Sequence, residues 1–166
     1  MKRNSLAFGI LQLLGYLLVF SIMILVIGAK FGDPLVKMEA KNIHVMLRIL
    51  RVPNILLGNM VYLPEERLSF EITWQCSGMF SISLYTVVYL TFPRIRRNLW
   101  EWFFGVSVLY VVNFFRVLTS ILLYHHMGEE VFSLFHYILG PAMMFGVVVL
   151  LLGDLLVKSL KERRQN

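Results

Sequence analysis

Apolar residues in this chain gather in long runs. Four of them, residues 6–27, 75–92, 99–124 and 132–157, approach or exceed the roughly 20 residues a helix needs to cross a bilayer. The last two also carry polar residues that a helix facing only lipid would avoid, which predicts contacts inside a bundle. Between the first two runs the pattern changes. Asp33-Pro34 reads as a carboxylate N-cap with proline at the first helical position. Beyond it Lys37, Lys41, His44, Arg48 and Arg51 recur at spacings of three and four, with Ile43, Met46, Leu47 and Leu50 on the opposite side. That spacing predicts an amphipathic helix lying in the membrane interface and ending before Pro53. Leu68, Phe70 and Ile72 then alternate with Ser69, Glu71 and Thr73, a short extended stretch leading into the second run. The expected architecture is all-α: one integral membrane domain over residues 1–166, with about four transmembrane helices and an extracytoplasmic interfacial helix within residues 30–73. No internal repeat or second domain is visible.

Composition agrees, because 58% hydrophobic residues with 16% charged ones exclude an ordinary soluble domain. Charge placement sets the orientation. Lys2 and Arg3 precede the first run, Arg94, Arg96 and Arg97 link the second to the third, and Lys158, Lys161, Arg163 and Arg164 follow the fourth. These clusters fall on one side, which the positive-inside rule makes cytoplasmic, with both termini inside. Residues 30–73 and the turn 125–130 then lie outside; Asp33, Glu39, Glu65, Glu66 and Glu71 dilute the basic residues of the longer segment. The first run is longer than the core of a secretory signal, and Gly28-Ala29-Lys30 is a poor cleavage site, so it reads as a retained anchor. Topology and anionic lipid account for the net charge of +6, and no nucleic-acid partner is implied. A multi-pass protein of the cell membrane is expected.

The chemistry centres on Cys76, the single cysteine, in Trp74-Gln75-Cys76-Ser77-Gly78. Without an intrachain disulfide partner it is a packing residue, a nucleophile, an acylation site or a lone metal ligand. Depth gives it company. Cys76 opens the second run at its outer end; Arg116, about 25 Å along the third run, and His136, about one turn into the fourth, reach the same level. An arginine there must either find a protein partner or snorkel to the interface. Asn113, three residues earlier, shares its helical face and can position its head, and Ser120 extends the polar stripe. His125 and His126 compete with His136 for any histidine role. Ser77 and Gly78 stand next to the thiol as supporting candidates, Gly78 allowing close approach of a neighbour. Gly140-Pro141 is expected to bend the last helix just after His136. His125 and His126 with Glu129 and Glu130 read as a solvated turn, and neither a metal centre nor a cofactor is expected.

Taken together, Glu71-Ile72-Thr73-Trp74-Gln75-Cys76-Ser77-Gly78-Met79, Asn113-Phe114-Phe115-Arg116-Val117 and Phe135-His136-Tyr137-Ile138-Leu139-Gly140 resemble the exosortase/archaeosortase family of membrane-embedded cysteine transpeptidases. The resemblance covers about residues 68–156 and points to a compact member. It implies an enzyme that cleaves the C-terminal sorting signal of exported proteins (a short motif, a hydrophobic helix and a basic tail) at the outer membrane face. The new C-terminus is then passed to a lipid or other surface acceptor. It further implies Cys76 as nucleophile with Arg116 and His136 as its catalytic partners. Burial of a thiol in a dry site disfavours the thiolate, which a fixed cation such as Arg116 would counter. The guanidinium could instead hold the oxyanion of a tetrahedral intermediate. Two other readings fit the residues: a non-enzymatic membrane subunit binding a partner helix and anionic lipid, and a thiol acyltransferase.

Overall fold

In the computed structural model, residues 2–91 and 98–165 are described. Helix α1 spans Lys2–Ile49, strands β1, β2 and β3 span Ile55–Leu57, Met60–Leu63 and Leu68–Glu71, and helices α2 and α3 span Met79–Thr91 and Leu99–Met127. A last helical stretch joins α4 (Glu129–Leu134), a π-helical turn (Phe135–Leu139) and α5 (Gly140–Gln165). The protein is mostly helical, and among the described residues two helices, Leu99–Met127 and Glu129–Lys161, are long and apolar enough to cross a membrane. Met79–Leu90 is a shorter apolar helix. Phe92, Arg94, Arg96 and Arg97 lie outside the described residues.

Two expectations about residues 30–73 are corrected. The first is the all-α class, because a three-stranded antiparallel sheet in the order β1-β2-β3 follows α1. Val61 pairs with Leu56 on one side and Phe70 on the other. Gly58, at φ +65°, opens the two-residue turn between β1 and β2, a position that glycine occupies without a Cβ penalty. The alternating stretch before Cys76 is β3. The second correction concerns helix α1, which does not begin at Asp33-Pro34. It runs through Pro34 without a break, so the anchor and the amphipathic segment are one helix. Proline there costs a single backbone hydrogen bond and leaves the helix continuous.

The apolar face of that segment is covered by protein. Val36, Ala40, Ile43 and Leu47 are buried against Val61, Leu63 and Ile72 of the sheet region and Val117, Leu118 and Ile121 of α3. Lys37, Lys41 and Arg48 remain exposed, so the predicted charged face is real. A second cluster fills the space between α2, α3 and α5, with Tyr85, Tyr89, Leu109, Met144, Val148 and Leu155 at its centre. Helix α3 serves both clusters. Its buried residues Gly105, Leu109, Asn113, Arg116, Val117 and Ser120 recur at three to four residues, and the polar ones sit where the clusters meet.

The thiol turn and its arginine

Helix α2 begins at Met79, so Cys76 lies in a turn ahead of the helix and not in its first turn as the hydrophobic run suggested. The backbone N–H groups of Cys76 and Ser77 both donate to Thr73 O, at 3.0 and 3.2 Å, and the Ser77 hydroxyl closes on Trp74 O at 2.6 Å. Gly78 then takes φ +72°, the left-handed conformation that separates turn from helix. A Cβ on Gly78 would stand 2.8 Å from Asn113 Cβ, so α3 presses directly on this turn.

Donors from α3 hold the turn. Asn113 Nδ2 donates to Cys76 O at 2.7 Å, and Arg116 Nη2 donates to the same carbonyl at 3.1 Å. Arg116 Nε donates to Asn113 Oδ1 at 3.2 Å, a contact that their three-residue spacing on α3 allows. Arg116 is only 7% exposed and so does not snorkel. Its guanidinium donates to the backbone of the cysteine and to Asn113, and Asn113 links it to a carboxyl that the sequence did not suggest. Glu39 of α1 is 1% exposed and accepts from Asn113 Nδ2 at 2.9 Å through Oε1. Burial pushes the Glu39 carboxyl up to about 7, with a further rise from the nearby Cys76, while Arg116 and the Asn113 hydrogen bond pull the other way.

On the thiol side, Thr73 Oγ1 donates to Cys76 Sγ at 3.4 Å, a contact that the sequence reading missed. Cys76 and His136 line one cavity of about 350 Å³, with Phe70, Glu71, Ser120 and Tyr137 among its walls. His136 Nδ1 lies 3.3 Å from Ser120 Oγ, whose hydroxyl donates back to Arg116 O at 2.9 Å. The His136 ring stacks on Phe132, with centroids 5.0 Å apart. It belongs to the π-helical turn that precedes Gly140-Pro141, so the expected distortion falls on His136 itself and not after it. Gly140 packs against the stem of Arg116: a Cβ there would meet Arg116 Cδ at 3.0 Å. Ser120, on the polar stripe of α3, therefore ties the imidazole to the α3 backbone at Arg116.

Glu71, also on the wall of that cavity, accepts from Asn59 Nδ2 at 3.2 Å. His125 pairs with Glu66 and, with Glu65, forms a small cluster at the β2–β3 connection, while its ring meets that of His126 edge-on at a centroid distance of 4.7 Å.

Cys76 and His136 thus face one cavity of a mostly helical, apolar protein, and Arg116 holds the turn that carries the thiol. The chain belongs to the transmembrane exosortase family, whose model matches residues 5–153. Membership carries, in general terms, a membrane transpeptidase-like role. Comparison with curated proteins and with solved structures returns no match.

Proposed function

We propose that this protein is an intramembrane cysteine transpeptidase that acts on the C-terminal sorting signal of exported proteins at the extracytoplasmic face, with both termini in the cytoplasm. The observation that carries the reading is the shared cavity of Cys76 and His136, backed by the turn that Arg116 and Asn113 pin through the Cys76 carbonyl. A cavity of this size falls within the roughly 300–1,000 Å³ of small-ligand sites, enough for a few residues of an extended peptide.

Cys76 Sγ attacks the scissile carbonyl carbon while His136 takes the thiol proton. The tetrahedral intermediate collapses as the C–N bond breaks, and His136 returns the proton to the departing amine, which leaves with the hydrophobic helix and basic tail. The product on the enzyme is a thioester. An acceptor nucleophile, lipid-borne or on another surface molecule, attacks it, gives its proton to His136 and restores the thiol. Arg116 fixes the turn so that the sulfur meets the substrate at one angle, and it keeps positive charge beside the developing anion. Ser120 and Thr73 orient the imidazole and the sulfur. Ser77 and Gly78 shape the turn.

The test is co-expression with an exported reporter bearing a C-terminal sorting signal, followed by intact mass. The reading expects loss of the C-terminal helix with the wild type and an uncut reporter with Cys76→Ala. Cutting by Cys76→Ala would remove the nucleophile assignment.

A further inference from the structure

A second cavity, of about 460 Å³, lies between α1, α2 and α3 and shares no lining residue with the one that holds Cys76 and His136. Its walls are mainly apolar, from Leu35, Met38, Met79, Ile82, Trp102 and Val106, with Glu39 and Ser83 among them. The other polar groups on this wall are committed: Ser77 to Trp74 O, Thr86 to Ile82 O and to the Trp102 indole N–H, Ser107 to Phe103 O, and Tyr110 to Asn42. Two atoms are not. Glu39 Oε2 and Ser83 Oγ are buried and have no hydrogen-bond partner among the described residues, although both side chains are only 1% exposed. Buried polar atoms are paired in the great majority of cases, and a buried carboxylate oxygen demands a donor, preferably a charged one.

Met38 and Val111 on the cavity wall are 44% and 49% exposed, and Val111 belongs to a helix long enough to span. An occupant must bring an apolar body and a cationic hydrogen-bond donor. We propose that this cavity is a binding site for a membrane lipid with a primary ammonium head group, the ammonium donating to Glu39 Oε2 and an acyl chain lying against Ile82, Val106 and Trp102. Ser83 can donate to a carbonyl oxygen of the same molecule. Asn113 Nδ2 donates to both Glu39 Oε1 and Cys76 O, so the lipid head is three hydrogen bonds from the thiol turn without reaching the reacting sulfur. The site depends on the membrane setting alone and stands or falls apart from the transpeptidase reading.

The test is native mass spectrometry of the full chain in detergent, loaded with phosphatidylethanolamine or phosphatidylcholine of identical acyl chains. The trimethylated head has no N–H to donate. The expected result is retention of the ethanolamine lipid about tenfold above the choline lipid. In Glu39→Gln, where the amide oxygen still accepts from Asn113, the preference should fall towards unity; in Ser83→Leu both lipids should be lost, with thermal unfolding confirming that each variant folds. Equal retention of both lipids by the wild type would mean apolar filling only, and retention of neither would mean that water completes Glu39. Either result overturns the proposal, as does an ethanolamine preference that survives Glu39→Gln.

Discussion

The two ends of α3 solve opposite problems. From Gly105 to Leu109 the helix packs into a cluster held by tyrosines: Tyr85 reaches Glu101 O at 3.3 Å and Tyr89 reaches Asn98 O at 2.7 Å, so each ring is buried with its hydroxyl satisfied. From Asn113 to Ser120 the same helix spends its buried positions on an amide, a guanidinium and a hydroxyl. The first end uses burial to make a rigid post. The second uses burial to keep polar groups dry, aimed and tied to one turn. A buried arginine is tolerated because Cys76 O and Asn113 Oδ1 accept from it, and the turn it holds is thereby fixed in place. The polar network contributes orientation, and the apolar clusters on either side contribute stability.

Substitutions should therefore separate chemistry from stability according to the end they strike. The largest effect is expected from Cys76→Ala, which should lower the processing rate by about 10⁶-fold while leaving the thermal midpoint nearly unchanged. Next comes Arg116→Lys, which keeps the charge but cannot bond Cys76 O and Asn113 Oδ1 with one planar fork. A loss of about 10²–10³ in rate is expected from single-turnover kinetics on a matched reporter, and near-normal turnover would count against oriented binding.

Gly105→Ala strikes the other end. A Cβ there would stand 2.2 Å from the Tyr85 hydroxyl, and that ring is 1% exposed with nowhere to move. It should cost about 1–3 kcal/mol of stability by denaturant titration, with the activity of the remaining folded protein unchanged. A loss of activity per folded molecule would show that the two ends are coupled.

The smallest effect is that of Glu39→Gln on pH dependence. In the fold the Glu39 carboxyl titrates at about 7 against an ordinary 4.5. A raised carboxyl favours its neutral form in the fold, so its contribution is complete below the ordinary value and is lost as pH climbs through about 7. Thermal midpoints should thus decline between about pH 5 and pH 8 in the wild type, and less steeply in Glu39→Gln. Identical slopes would mean that another group sets the dependence.

Much of the site was legible because helical rise converts sequence position into depth. Counting along three apolar runs brought Cys76, Arg116 and His136 to one level, and the three-residue spacing identified Asn113 as the partner of Arg116. Glu39 escaped notice because Lys37 and Lys41 flank it and it read as part of a solvated face. The signal was its place beside Ala40 on the stripe Val36, Ala40, Ile43 and Leu47, which is the face that α1 buries. Of the sheet only β3 showed its alternation; β1 and β2, three and four residues long and apolar throughout, escaped because they carry no polar position to alternate with. Gly58-Asn59 between apolar runs was the available hairpin cue. Pro34 misled in the opposite direction, since a helix start that suits proline does not require one there.

The central claim is that Cys76 becomes acylated by the substrate, and trapping that species tests it most directly. A peptide spanning the sorting motif and the start of its hydrophobic helix would be incubated with the detergent-solubilised protein at mildly acidic pH, and the protein's intact mass recorded. The account predicts an adduct equal to the N-terminal fragment in thioester linkage at Cys76, released by hydroxylamine and missing from Cys76→Ala. Peptide cleavage without such an adduct, or an adduct of equal mass on Cys76→Ala, would contradict it.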